Sequence, residues 1–365
     1  MKTLTLFFTY GASLETWSKA GGLKREIDIY SKLLGYFDRI YFITYGKDDL
    51  RYVDNLPNGI TVLPKKFSIN NLIYSLLIPL LYKKEIMESS WLKTNQMSGS
   101  WSAVLAKIFF RRKLNIRTGY TESLSYVNKS LVRIRLMKFI EFMAYKFSDI
   151  AVVTSDHQKK YILEKYSPKK IFIIPNGINT EIFKPAGNKI PSDKIRLLFV
   201  GRLHPEKNIL NLLEAVKDLN NIKLRIIGQG PLRERILEFK DKYGLDLDIA
   251  DSGIPYNRLP EIYNWADIYI QPSIYEGNPK TILEAMSCSL PVIASDVPGI
   301  NNVINHRESG YLCGTDQESI KAALAALIDN YALSQKISSG AREFIEKEYN
   351  LEKIIKQEIN LYEDN

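Results

Sequence analysis

Two cations and two carboxylates carry the chemistry this sequence offers. Arg202 and Lys207 stand five apart in Gly201-Arg202-Leu203-His204-Pro205-Glu206-Lys207-Asn208, directly after the apolar run Ile195 to Val200. Two fixed cations in one Gly-initiated loop can neutralise a diphosphate, since a charged hydrogen bond is worth roughly 1.5 to 3 kcal/mol. Glu276 and Glu284 stand eight apart in Ser273-Ile-Tyr-Glu-Gly-Asn-Pro-Lys-Thr-Ile-Leu-Glu-Ala-Met-Ser-Cys-Ser-Leu290. Glu276 falls in a strand-to-helix loop after Ile268 to Gln271, and Pro279 reads as the first helical residue. Glu284 then lies about five residues into that helix, about 7.5 Å along its axis at ~1.5 Å per residue. Carboxylates so placed suit different ends of one long ligand. Between them, Lys280 and the free N–H groups of the helix start favour an anion. Sugar hydroxyls at the loop, phosphates at the helix mouth and a ribose diol near Glu284 fit that order.

Strands and helices must alternate to hold these loops. Leu4 to Phe8 reads as a strand that leads through Ser18-Lys19-Ala20-Gly21-Gly22 into a helix over Leu23 to Leu34. Paired glycines at a strand-to-helix turn let a backbone approach a ligand closely, or serve as a tight turn alone. Further strands are predicted at Ile40 to Thr44, Ile60 to Leu63, Ala151 to Thr154, Ile171 to Pro175, Ile195 to Val200, Lys223 to Ile227 and Ile249 to Ile254. The pattern is α/β, with two Rossmann-like domains. At 365 residues the chain exceeds the usual limit of one core. The polar, breaker-rich stretch Lys184 to Lys189 is taken as the linker, which gives domains at 1–188 and 189–350, with 351–365 as a last helix. Gly228-Gln229-Gly230 follows a strand but fails as a dinucleotide fingerprint, because Arg233 holds the third glycine position.

Charge divides unevenly, with a net of +15 over residues 1–189 and −6 over 190–365. A basic half implies an anionic partner. Residues 129–143 set Lys129, Arg133, Arg135 and Lys138 among Leu131, Ile134, Leu136, Phe139, Ile140, Phe142 and Met143. That helix could lie on an anionic membrane at roughly 1 kcal/mol per cation, or pack into the first domain with a solvated basic face. No helix-turn-helix, zinc or RNA-binding pattern occurs, so nucleic acid is not an expected partner. No apolar run approaches the ~20 residues of a membrane span. Cys288 and Cys313 form no ligand spacing or disulfide framework, and the three histidines are scattered. The expectation is a cytoplasmic protein without a metal, peripheral on the inner face of the plasma membrane.

Glu276-Gly277-Asn278-Pro279-Lys280-Thr281-Ile282-Leu283-Glu284-Ala285-Met286 resembles the donor-site signature of glycosyltransferase family 4. So do the Gly201–Lys207 loop, Gly228-Gln229-Gly230, Ala266-Asp267 and Gly310-Tyr311-Leu312. The resemblance covers nearly all of residues 195–313 but little of 1–190. It implies a GT-B architecture, two Rossmann-like domains facing across a cleft, and retaining transfer of a hexose-type sugar from a nucleotide-diphosphate sugar. The acceptor it implies is a glycan or lipid-linked molecule of cell-surface polysaccharide or lipopolysaccharide assembly. In the roles it implies, Arg202 and Lys207 hold the diphosphate without a metal or cofactor. Glu276, Gly277, Asn278 and Lys280 orient the sugar, with Pro279, Thr281 and Ile282 lining the helix start. Glu284 holds the ribose, Gly228 and Ile254 lie near the base, and Gly21, Gly22 and Gly201 give the phosphates room. The last helix is expected to cross back onto the first domain. One departure stands out: no histidine precedes His157, where many family members place one near the reacting sugar. Asn95-Gln96 or Arg117-Thr118-Gly119-Tyr120 would occupy that region. The rival readings are a nucleotide-sugar epimerase of the same fold, disfavoured by scarce histidine, and a non-catalytic nucleotide-sugar binder.

Overall fold

A computed structural model describes residues 1–119, 131–187, 192–219, 221–251 and 253–365. The chain forms two units, Met1–Pro175 with Ile355–Asn365, and Asn176–Ile354.

The first unit carries β1 (Thr3–Phe7), α1 (Leu14–Lys19), α2 (Leu23–Leu33), β2 (Arg39–Ile43), β3 (Ile60–Leu63), α3 (Asn71–Leu81), α4 (Lys83–Glu88) and β4 (Trp91–Thr94). Then come α5 (Ser100–Phe110), β5 (Lys113–Thr118), α6 (Leu131–Phe147), β6 (Ile150–Val153), α7 (Asp156–Lys165) and β7 (Ile171–Ile173). The strands run parallel in the order β3-β2-β1-β4-β5-β6-β7. A parallel sheet is covered on both faces, so all of β1 and the last four residues of β2 are buried, the threonines Thr3 and Thr5 included. One core joins Phe7, Ile43, Leu92, Leu114 and Ile116 of the strands to Tyr74, Ala103, Val104, Ala144 and Ile162 of α3, α5, α6 and α7.

The second unit carries β8 (Ile195–Val200), α8 (Ile209–Val216), β9 (Ile222–Ile227), α9 (Arg233–Tyr243), β10 (Leu247–Ala250), α10 (Leu259–Trp265) and β11 (Ile268–Gln271). It continues with α11 (Lys280–Ser287), β12 (Val292–Ser295), β13 (Tyr311–Cys313), α12 (Gln317–Ile328) and α13 (Tyr331–Phe344), and α14 (Leu351–Glu363) closes the chain. Its sheet is parallel in the order β10-β9-β8-β11-β12-β13. Two Rossmann-like parallel sheets wrapped by helices are the GT-B class of fold.

Several expected boundaries move. The domain boundary expected after residue 188 falls after Pro175, because Ile178 and Phe183 bury into the second unit's core. Ile178 also bridges to Asn350, within the same unit. Residues 351–354 likewise stay with the second unit. The strand expected over Ile249 to Ile254 starts at Leu247 and ends at Ala250. A short helix not foreseen, α1, follows the first strand: Ser13 caps it by accepting from the Thr16 N–H while the Thr16 hydroxyl accepts from the Ser13 N–H. Gly21-Gly22 therefore joins two helices rather than a strand to a helix. Pro279 is the N-cap of α11 rather than its first residue.

From Ile355 on, α14 belongs to the first unit. Glu358 and Lys93 form a fully buried ion pair there, with Arg117 beside them. Tyr362 donates to Glu358 at 2.9 Å and accepts from the Asn115 amide at 2.9 Å. Burial alone would push the Glu358 carboxyl up, but Lys93 and Arg117 outweigh it and hold it below its usual range.

Candidate active site

Strand order reverses where β8 and β11 lie side by side, and in open α/β sheets ligands bind beyond the carboxyl ends of strands at such a switch point. The two loops singled out from the sequence leave those two strand ends. Lys207 ends a single 3-10 turn, Pro205–Lys207, and pairs with the Glu276 carboxylate. The same Glu276 oxygen accepts from the Gln271 amide at 2.5 Å and the Ser273 hydroxyl at 2.8 Å. Gln271 is fixed in turn, because its carbonyl accepts from Tyr269 at 2.6 Å and from Thr281 at 2.7 Å. Burial pushes the Tyr269 phenol up, so it stays a donor. The loops are also tied through the backbone, where Ile274 N–H donates to Glu206 O at 2.8 Å.

Arg202 is held differently. Its guanidinium reaches Glu206 at 3.0 Å and stays 63% exposed, whereas Lys207 and Glu276 are only 13% and 11% exposed. One cation is thus locked in place, and the other can swing to a ligand.

Glycines let the loops pass close together. A Cβ on Gly228 would stand 1.9 Å from the Gly201 carbonyl oxygen, so β8 and β9 end against each other there. Gly299, with φ +90°, lies under the Glu loop, and a Cβ there would come within 2.1 Å of the Glu276 carbonyl oxygen. The Asn278 side chain accepts from the Asn176 N–H at 3.0 Å, while the Asn176 amide donates to Asn278 O at 3.0 Å. Gly277, Asn278, Pro279, Lys280, Thr281 and Ile282 run from this anchored loop into α11, Ile282 being fully buried.

Glu284, the fifth residue of α11, is 1% exposed and accepts from Tyr263 of α10 at 2.8 Å. Burial and the Glu284 charge push the Tyr263 phenol well above its usual range, which keeps it a donor. In this conformation Glu284 ties two helices together. Ile254 follows the end of β10 and packs against the core that holds Val200 and Ile227.

Gly21 and Gly22 lie in the first unit at the α1–α2 joint, Gly21 with φ +71°. Asn95 and Gln96 follow β4, and Gln96 accepts from Gly119 N–H beyond β5 at 3.1 Å. Tyr120 and Lys129 lie outside the described residues. Among the described residues, no three His, Cys, Asp or Glu side chains gather to hold a metal ion.

Sequence reasoning missed Gln271, Ser273, Tyr269 and Gly299. A signal for Gln271 was present: an amide ending the apolar run Ile-Tyr-Ile, 1% exposed, needs a polar partner.

Residues 181–344 match the family model described as glycosyl transferases group 1. The loops just described lie inside that matched segment. Over 248 residues the chain is 30% identical to the UDP-Gal:alpha-D-GlcNAc-diphosphoundecaprenol alpha-1,3-galactosyltransferase of Escherichia coli, covering 62% of this chain and 63% of that relative. It is 22% identical to the phosphatidylinositol N-acetylglucosaminyltransferase GPI3 subunit of Saccharomyces cerevisiae, over 95% of this chain and 80% of that one. The fold matches sucrose-phosphate synthase from Thermosynechococcus elongatus with a TM-score of 0.83 at 19% identity, over 100% and 99% of the two chains. It matches Anabaena HepE in complex with UDP-glucose at 0.80 and 16% identity, over the whole of both. At such identities these likenesses establish the GT-B fold.

Proposed function

We propose that the chain is a retaining glycosyltransferase of family 4 that moves a hexose-type sugar from a nucleotide-diphosphate donor to a glycan or lipid-linked acceptor. Its setting is cell-surface polysaccharide or lipopolysaccharide assembly, at the cytoplasmic face of the membrane. The observation that carries this reading is the cluster of Arg202, Lys207 and Glu276 at the β8/β11 switch point, inside the segment that matches the group 1 family. The names of the E. coli relative and of the HepE complex contain uridine diphosphate sugars, which makes uridine donors the first to test.

In this reading the donor's diphosphate takes over Lys207 from Glu276, Arg202 swings onto it, and the first N–H groups of α11 complete its cradle. These groups stabilise the charge that grows on the departing diphosphate, and preorganised electrostatic stabilisation of that kind usually contributes most to an enzyme's rate. The released Glu276, with Gly277, Asn278 and Lys280, orients the sugar hydroxyls. The sugar C1–O bond to the diphosphate breaks as the acceptor oxygen bonds C1 on the same face, and the acceptor's proton passes to the departing phosphate oxygen. No metal is required for that electrostatic role. Gly201 gives the phosphates room, and Gly228 and Ile254 flank the base.

The test is a calorimetric titration of nucleoside diphosphates and their sugars against wild type, Glu284→Ala and Tyr263→Phe. Ribose binding by Glu284 predicts selection of one nucleotide sugar, a sharp loss in Glu284→Ala and a small one in Tyr263→Phe. No binding by wild type overturns the donor-site reading. Equal losses in both variants reduce Glu284 to a tie between α10 and α11. An anomeric proton spectrum of the product then reads retention or inversion directly.

A further inference from the structure

The outer face of α3, α5 and α6 is a feature that sugar transfer leaves unused. Connections from β3 to β4, β4 to β5 and β5 to β6 all move the same way along the sheet, so right-handed crossovers put these helices on one face. There α5 packs between α3 and α6. Their inward residues, among them Tyr74, Val104 and Tyr145, fill the core. The exposed residues of α3 and α5 are apolar where a solvated helix would be polar, and those of α6 are apolar and cationic. Leu76, Leu80, Phe109, Val132, Leu136 and Phe139 are each between 50% and 76% exposed. Val132, Leu136 and Phe139 follow helical spacing, so they form one stripe of α6. The amphipathic helix foreseen in the sequence therefore turns apolar residues outward, and its buried residues are Glu141, Ala144 and Tyr145.

Charge selects the occupant. Exposed cations stand on or beside these helices: Lys83 and Lys84 open α4, which also carries Glu85 and Glu88, Arg111 follows α5, and Arg135, Lys138 and Lys146 lie on α6. Neither α3 nor α5 contains a carboxylate, and the one in α6, Glu141, is buried and accepts from Tyr166 at 2.7 Å. Large apolar side chains interleaved with cations match the boundary between headgroups and acyl chains of an anionic leaflet. A second copy of the same face would set these cations against each other. A contiguous exposed apolar patch on a lone protein marks an interaction surface.

We propose that the α3/α5/α6 face seats the protein on an anionic lipid surface, with Phe109, Leu136 and Phe139 entering the headgroup boundary while the cations meet lipid phosphates. This rests on the membrane-side part of the reading above and not on transfer itself. Among the described residues no helix is long and apolar enough to cross a membrane, so contact through this face is reversible and salt-dependent.

The test is sedimentation of the full chain with phosphatidylcholine vesicles, with and without about one third phosphatidylglycerol, at low and high salt. Wild type is expected to bind only the anionic vesicles, and less at high salt. Arg135→Glu/Lys138→Glu and Phe109→Ser/Phe139→Ser should each lower apparent partitioning at least ~tenfold, while nucleotide binding stays at the wild-type level. A fluorophore on Phe139→Cys should brighten on anionic vesicles, and one on Tyr331→Cys should not; the native thiols are buried and stay unlabelled. Wild type that fails to sediment, variants that sediment like wild type, or a dimer that the variants dissociate without any vesicle binding would each overturn the proposal. Loss of nucleotide binding in wild type, with vesicle binding kept, would overturn the transfer reading alone.

Discussion

Lys207 and Glu276 are the pair around which the proposed donor site is built. A lysine 13% exposed beside a carboxylate 11% exposed is already desolvated and fixed, so in the proposed role it offers a diphosphate a preorganised cation. Lys207→Ala is accordingly expected to lower kcat by about 10² or more, the scale for removing one transition-state donor. Arg202→Ala, which removes a mobile cation, should act more on KM. Steady-state kinetics on the matched donor separates the two, and near-normal turnover in both sinks the phosphate assignment. Gly299→Ala tests the loop support. Its φ of +90° and the 2.1 Å approach of the Glu276 carbonyl leave no room for a methyl group. The Glu loop must shift, and nucleotide-sugar affinity measured by calorimetry should fall at least ~tenfold. Unchanged affinity would show that the loop's position does not govern binding.

At the scale of elements, α14 depends on one buried network. Glu358 lies against Lys93, Arg117 and Tyr362, all in the first unit. Removing one partner of a buried pair leaves an uncompensated charge, so Glu358→Gln should destabilise that unit by about 3 kcal/mol or more. Lys93→Met/Glu358→Leu, which removes both charges, should recover most of the loss. Urea denaturation reads both, and a double variant as unstable as the single would refute the charge argument. The sign with pH follows from a carboxyl held below its usual range when folded. The stability it contributes is present above the unfolded carboxyl value, ~4.3, and is lost as pH falls through the lower folded value. Glu358→Gln should therefore flatten the acid limb of stability against pH.

For the whole molecule, two units with separate cores should unfold in two calorimetric transitions. Because the loops proposed to hold the diphosphate lie in the second unit, a bound nucleoside diphosphate should raise one transition by about 2.7 kcal/mol at one hundred times its Kd. Glu358→Gln should lower the other transition. A single transition that responds to both would mean the units unfold as one.

Local pattern alone specified much of the second unit. Glu276, Glu284 and the Arg202/Lys207 loop were legible because charged or glycine-rich stretches interrupt apolar strands of four to six residues, a contrast visible without partners. The first unit was less legible. β4 has four residues, one of them the buried Lys93, and β5 begins at Lys113 after Arg111-Arg112 and contains Asn115 and Arg117, so neither shows an uninterrupted apolar signature. Only tertiary structure decided that Lys93 could be buried, since its counter-charge lies 265 residues away. Only folding likewise revealed that Gln271 anchors the Glu276 carboxylate, that Glu284 lies against Tyr263, and that the apolar stripe of α6 faces outward. Sequence spacing fixes which residues share a face, but which face meets the core depends on neighbours brought from elsewhere in the chain.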